Sequence, residues 1–308
     1  MRITQPTGTV RVARTPRVTQ DLLIACATHM TPRDRHIIEL VHEHDVLTTG
    51  QLTQLAFTSQ RIARRRLAIL HSLGLLARFR PWTHQGSHPW HWVLGPAGAH
   101  ILAAEYDTEP AKIGYRPDRA ITLATSQRRA HTTGRNQLLT ALAHHARHTG
   151  SGTACELLEW RGERSCAKRW GEFVRPDAYA RWRDGTRTTE FFLEYDTGTE
   201  PLHRLIYKLD GYTELAETTG IPPGAATSAV IPVLFHLPSS RRETHLHAEL
   251  RDHPAGVPVA TTTARLTEAT PPGLAGPVWR LAGDTGDTRV RLADITNPHH
   301  HRRDVPAA

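Results

Sequence analysis

Four side chains between residues 177 and 208 have types and spacing suited to work on a phosphodiester: Asp177, Glu194, Asp196 and Lys208. Carboxylate oxygens are ligands that suit Mg²⁺ or Mn²⁺, and such an ion activates water and neutralises charge on a phosphodiester. A lysine ammonium beside them could orient that water or stabilise the charged phosphate of the transition state. The alternative is acids at an exposed strand end and a solvated lysine.

Lys208 stands out because lysine is rare in this chain. Among 38 basic residues only Lys112, Lys168 and Lys208 are lysines, so arginine supplies the positive charge almost everywhere else. A lysine that remains is therefore expected to be needed for its own chemistry. It lies on a predicted helix over residues 199–218, at the border of the apolar stripe, where a flexible ammonium could reach the acids.

A predicted hairpin positions these acids. The Asp-Gly dipeptide at 184–185 lies between two alternating runs, which is a strong hairpin signal. If that dipeptide is the two-residue loop, Asp177 lies opposite Phe192 and is a diagonal neighbour of Glu194, roughly 7–8 Å away. Side chains two residues apart share a strand face, so Asp177, Glu194 and Asp196 are expected to project from the same side.

The first third of the chain carries different elements. Hydrophobic periodicity predicts three short helices, at 31–44, 47–57 and 59–74. Thr31 is the expected cap of the first, with a proline directly after it. Two strands around a polar turn and a fourth helix at 95–106 follow. Three short helices followed by a β-hairpin make a winged helix.

A basic surface is predicted on this part. The third helix carries Arg61, Arg64, Arg65 and Arg66, and the hairpin adds Arg78 and Arg80. Helical periodicity sets the arginines of this helix opposite an apolar stripe of Ile62, Leu67, Ile69, Leu70 and Leu73. A basic helix beside a basic hairpin suits the major groove of DNA and its flanking phosphates. The alternative is a solvated helix face that serves solubility.

The pattern along the chain predicts the following organisation. The segments are a leader without clear order at 1–29, a winged-helix domain at 30–106, a linker at 107–125, an α/β domain at 126–265 and a tail of low order at 266–308. Within the α/β domain, a long helix is followed by three strands, a helix and a strand, and then by a further helix and strand.

Composition narrows the class of partner. The net charge of +8 and the pI of about 9.9 favour a polyanionic partner over an acidic small molecule. Three cysteines without metal-ligand spacing indicate neither a disulfide framework nor a zinc site. No apolar run approaches the roughly 20 residues of a membrane span. We therefore expect a cytoplasmic protein without a membrane partner.

Two motifs carry a family resemblance. Asp177 within RPDA, followed by Glu194-Tyr195-Asp196, resembles the PD-(D/E)xK, or restriction-endonuclease-like, superfamily. With TPRDRHIIELV, LTTGQLTQLAF and the KLDGY helix, the chain looks more narrowly like the replication-relaxation family over about residues 31–265. That family occurs in bacterial plasmids and integrative elements and is linked to their replication and transfer. The superfamily's lysine belongs two residues after the second acid, where this chain has Asp196; Lys208 would be its migrated substitute, unless the site has lost cleavage and kept binding.

The resemblance implies an N-terminal winged helix-turn-helix joined to a restriction-endonuclease-like α/β domain with a central mixed sheet. Three hypotheses follow: a metal-dependent DNA endonuclease or nickase, a non-catalytic DNA-binding replication or transfer factor, and a winged-helix transcriptional regulator. Under the first, which we prefer from sequence, Asp177, Glu194 and Asp196 hold Mg²⁺ or Mn²⁺ and Lys208 addresses the scissile phosphate. The expected partners are double-stranded DNA and replication or transfer proteins, and a homodimer is left open.

Overall fold

The computed structural model describes residues 11–83, 86–149, 155–219, 230–284, 286 and 288–295. By internal contacts the chain divides into two compact units, Met1–Gln137 and Leu138–Ala308. The helices in the described residues are α1 (Gln20–His29), α2 (Pro32–His44), α3 (Thr49–Ala56), α4 (Gln60–Ser72), α5 (Pro96–Glu105), α6 (Arg119–Thr125), α7 (Arg128–His148), α8 (Glu163–Trp170), α9 (Leu202–Thr219), α10 (Ser240–Asp252) and α11 (Ala264–Ala269).

The described strands form two sheets, one in each unit. The strands are β1 (Arg11–Val12), β2 (Leu47–Thr48), β3 (Leu76–Arg80), β4 (His91–Leu94), β5 (Cys155–Gly162), β6 (Ala178–Asp184), β7 (Arg187–Tyr195), β8 (Val233–Leu237), β9 (Val259–Thr263) and β10 (Arg280–Leu281). The first sheet has the order β1-β3-β4-β2, and the second has the order β10-β9-β8-β7-β6-β5. The fold class is therefore mixed α/β.

Local capping explains where the helices of the first unit begin and end. The Thr31 hydroxyl accepts the Asp34 amide while the Asp34 carboxylate accepts the Thr31 amide at 2.8 Å, which is a capping box before α2. Ser59 caps α4, and Gly74 ends it with a φ of +68° that favours glycine. The predicted order of three helices followed by two antiparallel strands is confirmed for these elements.

Two segments of the first unit are more ordered than the sequence predicts. Helix α1 forms inside the predicted leader and buries Cys26 completely. Helix α6 forms inside the predicted linker, and Ala120 and Leu123 pack into a cluster with Phe79. Both helices have weak hydrophobic periodicity, so only their packing partners identify them. Residues 1–10 of the predicted leader lie outside the described residues.

The apolar face of α4 is narrower than predicted. Ile62 and Ile69 were expected in the buried stripe, but their exposed fractions are 45% and 38%. The residues that α4 buries include Ala63, Leu67 and Leu70, which recur at helical spacing and face the core. Ile62 and Ile69 lie seven residues apart on the flank of that stripe, so α4 presents apolar as well as basic side chains to solvent.

The second unit is built around its mixed six-stranded sheet. Strands β5, β6 and β7 are antiparallel neighbours, and β7 pairs in parallel with β8, which pairs in parallel with β9. Residues of α8, α9 and α10 form one core cluster with the sheet, and Leu139 and Leu142 of α7 belong to another. Helix α8 is absent from the sequence prediction, which extends the strand of β6 back to residue 172. The observed strand begins at Ala178.

The described part of the predicted tail belongs to the core. Leu274, Trp279, Leu292 and Ile295 are buried in the same cluster as Leu139. The Trp279 indole N–H donates to the Leu274 carbonyl at 2.7 Å, so its polar atom is satisfied inside the core. The expectation of low order was therefore wrong for residues 266–295 as far as they are described. Proline and glycine content suggested disorder, whereas the buried aromatic residue decides the outcome. Residues 296–308 lie outside the described residues.

The hairpin register differs from the predicted one. Asp184 pairs with Arg187, so the loop is Gly185-Thr186, and Gly185 takes the positive φ of +62° that the first loop position requires. The last pair is Ala178 with Leu193, and one further step puts Asp177 opposite Glu194 rather than opposite Phe192. Because partners move by two residues, the acids keep their predicted face.

No helix in the described part of the chain combines the length and the apolar character needed to cross a membrane.

Replacing Trp279 with alanine should lower the free energy of unfolding by about 3–5 kcal/mol, because it removes a fully buried aromatic side chain and leaves a cavity. Tyr207→Ala is the control, since Tyr207 is 68% exposed and its loss should cost no more than about 0.5 kcal/mol. Urea denaturation of the full chain measures both. Equal stability of the two variants would show that the segment around Trp279 does not contribute to the core.

Candidate functional site

Glu194 is the centre of the acidic site. It lies on β7, between β6 and β8, and only 3% of its surface is exposed. Its Oε2 accepts a hydrogen bond from Lys208 Nζ at 2.6 Å, and its Oε1 accepts one from the Tyr212 hydroxyl. Lys208 and Tyr212 are four residues apart on α9, so they lie on one helix face. The structure thus brings Lys208 to Glu194, as the sequence predicts.

Burial and neighbouring charges set the protonation of this cluster. The pKa of Glu194 is raised to about 7, mainly by burial. The Lys208 ammonium opposes this rise, and the Asp177 carboxylate adds to it. For Lys208, burial lowers the pKa, but Glu194 and Asp177 outweigh burial and the net pKa is raised. Lys208 therefore stays protonated while Glu194 titrates near neutral pH.

Asp177 belongs to the same cluster. It lies directly before β6, and its Oδ2 accepts the backbone amide of Tyr195 at 2.9 Å. This bond joins the start of β6 to the end of β7. The carboxylates of Asp177 and Glu163, the latter from the first turn of α8, both act to raise the pKa of Lys208. The ammonium is thus set among Glu194, Asp177 and Glu163.

Asp196 has a different partner. Arg242 of α10 donates Nε to Asp196 Oδ2 and Nη2 to Oδ1 at 3.1 Å, so the pair is two-pronged. The Gly198 amide also donates to Oδ1 at 2.9 Å, and Arg242 Nη2 reaches the Glu200 carbonyl at 2.5 Å. These bonds fix the loop after β7. The role of Asp196 as a third metal-holding carboxylate stays a prediction; in this arrangement its two oxygens accept bonds from a cation that α10 supplies.

The acids as arranged do not fit a shared Mg²⁺ or Mn²⁺. Both oxygens of Glu194 accept bonds from Lys208 and Tyr212, and both oxygens of Asp196 accept bonds from Arg242. Within the described ranges, no group of three or more His, Cys, Asp or Glu side chains is placed to hold a metal ion. Mg²⁺ requires near-octahedral oxygen coordination.

The basic surface of the first unit separates into two kinds of arginine. Arg61, Arg64 and Arg65 are exposed on α4. Arg66 is half-buried: its Nε donates to Asp34 Oδ1 at 2.8 Å, and Nη2 donates to Asp34 Oδ2 and to the His29 carbonyl. DNA binding by Arg66 stays a prediction, and its guanidinium is already paired with the fully buried carboxylate that also caps α2.

The hairpin arginines are held against tryptophan. The guanidinium carbons of Arg78 and Arg80 lie 4.3 Å and 4.4 Å from the centre of the Trp90 ring. Both side chains are half-buried, so the rings cover part of each guanidinium. Cation–π stacking of this kind fixes the orientation of a guanidinium fork.

Sequence reasoning missed two residues that shape these sites, and it assigned no role to Tyr212, which follows Lys208 by one helical turn. Arg242 gives no local signal, since it lies 46 residues after Asp196 and reaches it only in the folded chain. Trp90 lies just before β4, and its stacking depends on the β3–β4 pairing.

The fold and sites define an α/β protein with a basic helical unit and a buried acid–lysine cluster on a mixed sheet. Residues 38–234 match the replication-relaxation family, which is more than half of the chain. The chain belongs to the replication-relaxation family. The comparisons with curated proteins and with solved structures give no match.

Lys208→Met tests the cluster. At about pH 8, where Glu194 is mostly ionised, the variant should lose about 3 kcal/mol of stability, because a buried carboxylate then faces Asp177 without its cation. At about pH 5.5 Glu194 is protonated and the loss should be smaller. Urea denaturation at both pH values measures the difference, with the exposed Lys168→Met as the control.

The wild type should show the matching pH dependence. Because the folded pKa of Glu194 is raised, its contribution to stability is fully present below the unfolded value of 4.5 and is lost as the pH rises through about 7. Glu194→Gln should remove that slope. A slope unchanged in Glu194→Gln would contradict the assignment.

Proposed function

We propose that this chain is a DNA-binding replication factor whose first unit is a winged helix that places α4 in the major groove of duplex DNA. Membership of the replication-relaxation family supports a role in replication. The proposed setting is a plasmid or an integrative element, as the resemblance implies, with replication or transfer proteins as further partners.

One observation carries the proposal: α4 exposes arginines that the protein itself does not neutralise. Arg61, Arg64 and Arg65 take part in no ion pair among the described residues, whereas Arg66 on the same helix is paired with Asp34. No acid lies between Ser59 and Leu73. Uncompensated arginines on one exposed helix face are suited to phosphate groups, and DNA supplies these at regular spacing.

The second unit supports a restriction-endonuclease-like fold as a further proposal. The order of its elements agrees with the fold expected from the RPDA and EYD motifs. Helix α7 is followed by three antiparallel strands, then by the crossover helix α9 and the parallel strand β8. Asp177, directly before β6, lies near Glu194 of the neighbouring strand β7, and Lys208 reaches Glu194 from the crossover helix.

Cleavage is the second candidate function, favoured by the position of Lys208. A nickase would need Glu194 to exchange its bonds with Lys208 and Tyr212 for a metal ion, and Asp196 to leave Arg242. Because Glu194 is paired with Lys208 and Asp196 with Arg242, we favour instead the hypothesis in which the fold has kept a binding role without cleavage. In that role the cluster stabilises the second unit.

Replacing Arg61, Arg64 and Arg65 together with alanine should weaken binding to duplex DNA by at least about 100-fold at low salt. The slope of log affinity against log salt should fall by up to about 2.7, since about 0.9 is lost for each phosphate contact. Fluorescence anisotropy with a labelled duplex over a salt series gives both values.

Arg116→Ala is the matched control, because Arg116 is an exposed arginine of the same unit that lies outside α4. It should leave affinity and slope close to those of the wild type. Unchanged affinity in the triple variant would remove α4 from the interface and overturn the proposal.

Cleavage is tested on supercoiled DNA of the parent element, with Mg²⁺, with Mn²⁺ and with a chelator. We expect no conversion to the nicked form in any of the three, because the carboxylate oxygens are held by Lys208, Tyr212 and Arg242. Metal-dependent nicking that is lost in Glu194→Gln would establish the nickase and reject the non-catalytic alternative.

A further inference from the structure

A basic groove lies in the first unit between α4 and the hairpin formed by β3 and β4. We call it the hairpin groove; its volume is about 590 Å³, and its lining includes Thr49, Gln60, Arg64, Arg78, Arg80 and Trp90. Every charged side chain in its described lining is an arginine or a histidine, since no Asp or Glu lines it. The groove therefore offers positive charge to whatever enters.

The groove is held in shape by aromatic residues. Arg78 and Arg80 both stack on Trp90, and Arg78 also lies 5.5 Å from the centre of the Trp92 ring. Trp92 is fixed in turn, because its indole N–H donates to the Thr49 hydroxyl at 2.9 Å. The two guanidinium groups are thus oriented before any ligand binds, which lowers the entropy lost on binding.

These arginines lack an internal counter-charge. Among the described residues, neither Arg78 nor Arg80 has an ion-pair partner, and the buried Nε of each has no hydrogen-bond acceptor. Arg11 lies directly opposite Arg80 in the β1–β3 pair. Burial lowers the pKa of Arg78, and the charges of Arg80 and Arg11 lower it further. Like charges placed so close repel, and an anion among them would relieve this repulsion.

We propose that the hairpin groove is a preformed site for the phosphate backbone of DNA, and that Trp90 is the positioning residue that holds Arg78 and Arg80 for it. This inference rests on the proposed DNA binding of the first unit. Arg64 links the two, because it belongs to the exposed face of α4 and also lines the groove. A strand that contacts α4 at Arg64 can therefore continue into the groove.

Phosphate fits the groove by its chemistry. A guanidinium fork binds two phosphate oxygens at once, and stacking on an indole leaves the edge of the fork free to donate. The Nε atoms of Arg78 and Arg80 are buried, so donation to a phosphate falls to the terminal Nη groups of the two half-buried guanidinium forks. Gln60 and Thr49 add neutral polar groups to the wall.

The experiment separates charge from positioning. Affinity of the full chain for a labelled duplex is measured by anisotropy over a salt series. Arg78→Ala and Arg80→Ala should each weaken binding about tenfold and lower the salt slope by about 0.9, because each removes a phosphate contact. Trp90→Ala should also weaken binding about tenfold but keep the wild-type slope, since every charge remains. Trp90→Phe keeps an aromatic face and should restore most of the affinity.

Arg80→Lys is the second variant, in case Trp90→Ala does not fold. It keeps the charge and loses the planar stack, so it should weaken binding at an unchanged slope. Wild-type affinity in Arg78→Ala, Arg80→Ala and Arg80→Lys would overturn the inference. If the α4 triple variant loses binding in the same assay, the proposed function stands without the groove. If the α4 triple variant also keeps binding, both fail.

A small phosphate compound is the other source of the same chemistry. The melting temperature of the wild type and of Arg78→Ala is therefore measured with inorganic phosphate and with a mononucleotide at constant ionic strength. Neither compound should raise the melting temperature of the wild type by more than it raises that of Arg78→Ala, because a single phosphate occupies little of the groove. A selective, saturable shift by the mononucleotide that also displaces the duplex would replace the DNA backbone with a nucleotide as the ligand.

Discussion

The buried carboxylate of Glu194 is the constraint on which the second unit depends. A charge at 3% exposure is stable in a protein only with close partners, and α9 supplies both, Lys208 and Tyr212, from one face. These bonds join the crossover helix α9 to β7. Strand β7 has an antiparallel neighbour, β6, on one side and a parallel neighbour, β8, on the other. The Tyr212 ring, which carries one of the donors, also packs 5.0 Å from the Phe192 ring, so polar and apolar contacts act at the same place.

Charge compensation separates the arginines that serve the fold from those available to a ligand. Arg66 and Arg242 each form a two-pronged pair with a buried aspartate and join elements distant in sequence. Arg78 and Arg80 stack on Trp90 with no carboxylate among the described residues to pair with them. Basic residues that look equivalent in composition therefore differ in role, and the difference follows from whether an acid was folded against them.

Charge compensation is also found at the acids of the enzyme-like motif. RPDA and EYD place Asp177 directly before β6 and Glu194 on the neighbouring strand β7. Lys208, Tyr212 and Arg242 then occupy oxygens that a divalent ion would use. These bonds join β7, α9 and α10 within the second unit. Membership of the replication-relaxation family links the chain to replication, and we propose that the exposed arginines of α4 serve it by contacting DNA.

The sequence alone determined the features that depend on neighbouring residues. Thr31 and Ser59 fixed helix starts because a cap acts within four residues, and Gly185 fixed the hairpin because a tight turn needs its positive φ. The approach of Lys208 to Glu194 was also predicted, since strand and helix periodicities placed both on facing sides. Tertiary structure alone decided which partner each charge finds. Arg242 reaches Asp196 across 46 residues, Arg66 reaches Asp34 across 32, and Trp279 fills a core whose other walls come from distant strands. Such pairings depend on burial and long-range packing, which a local pattern does not encode.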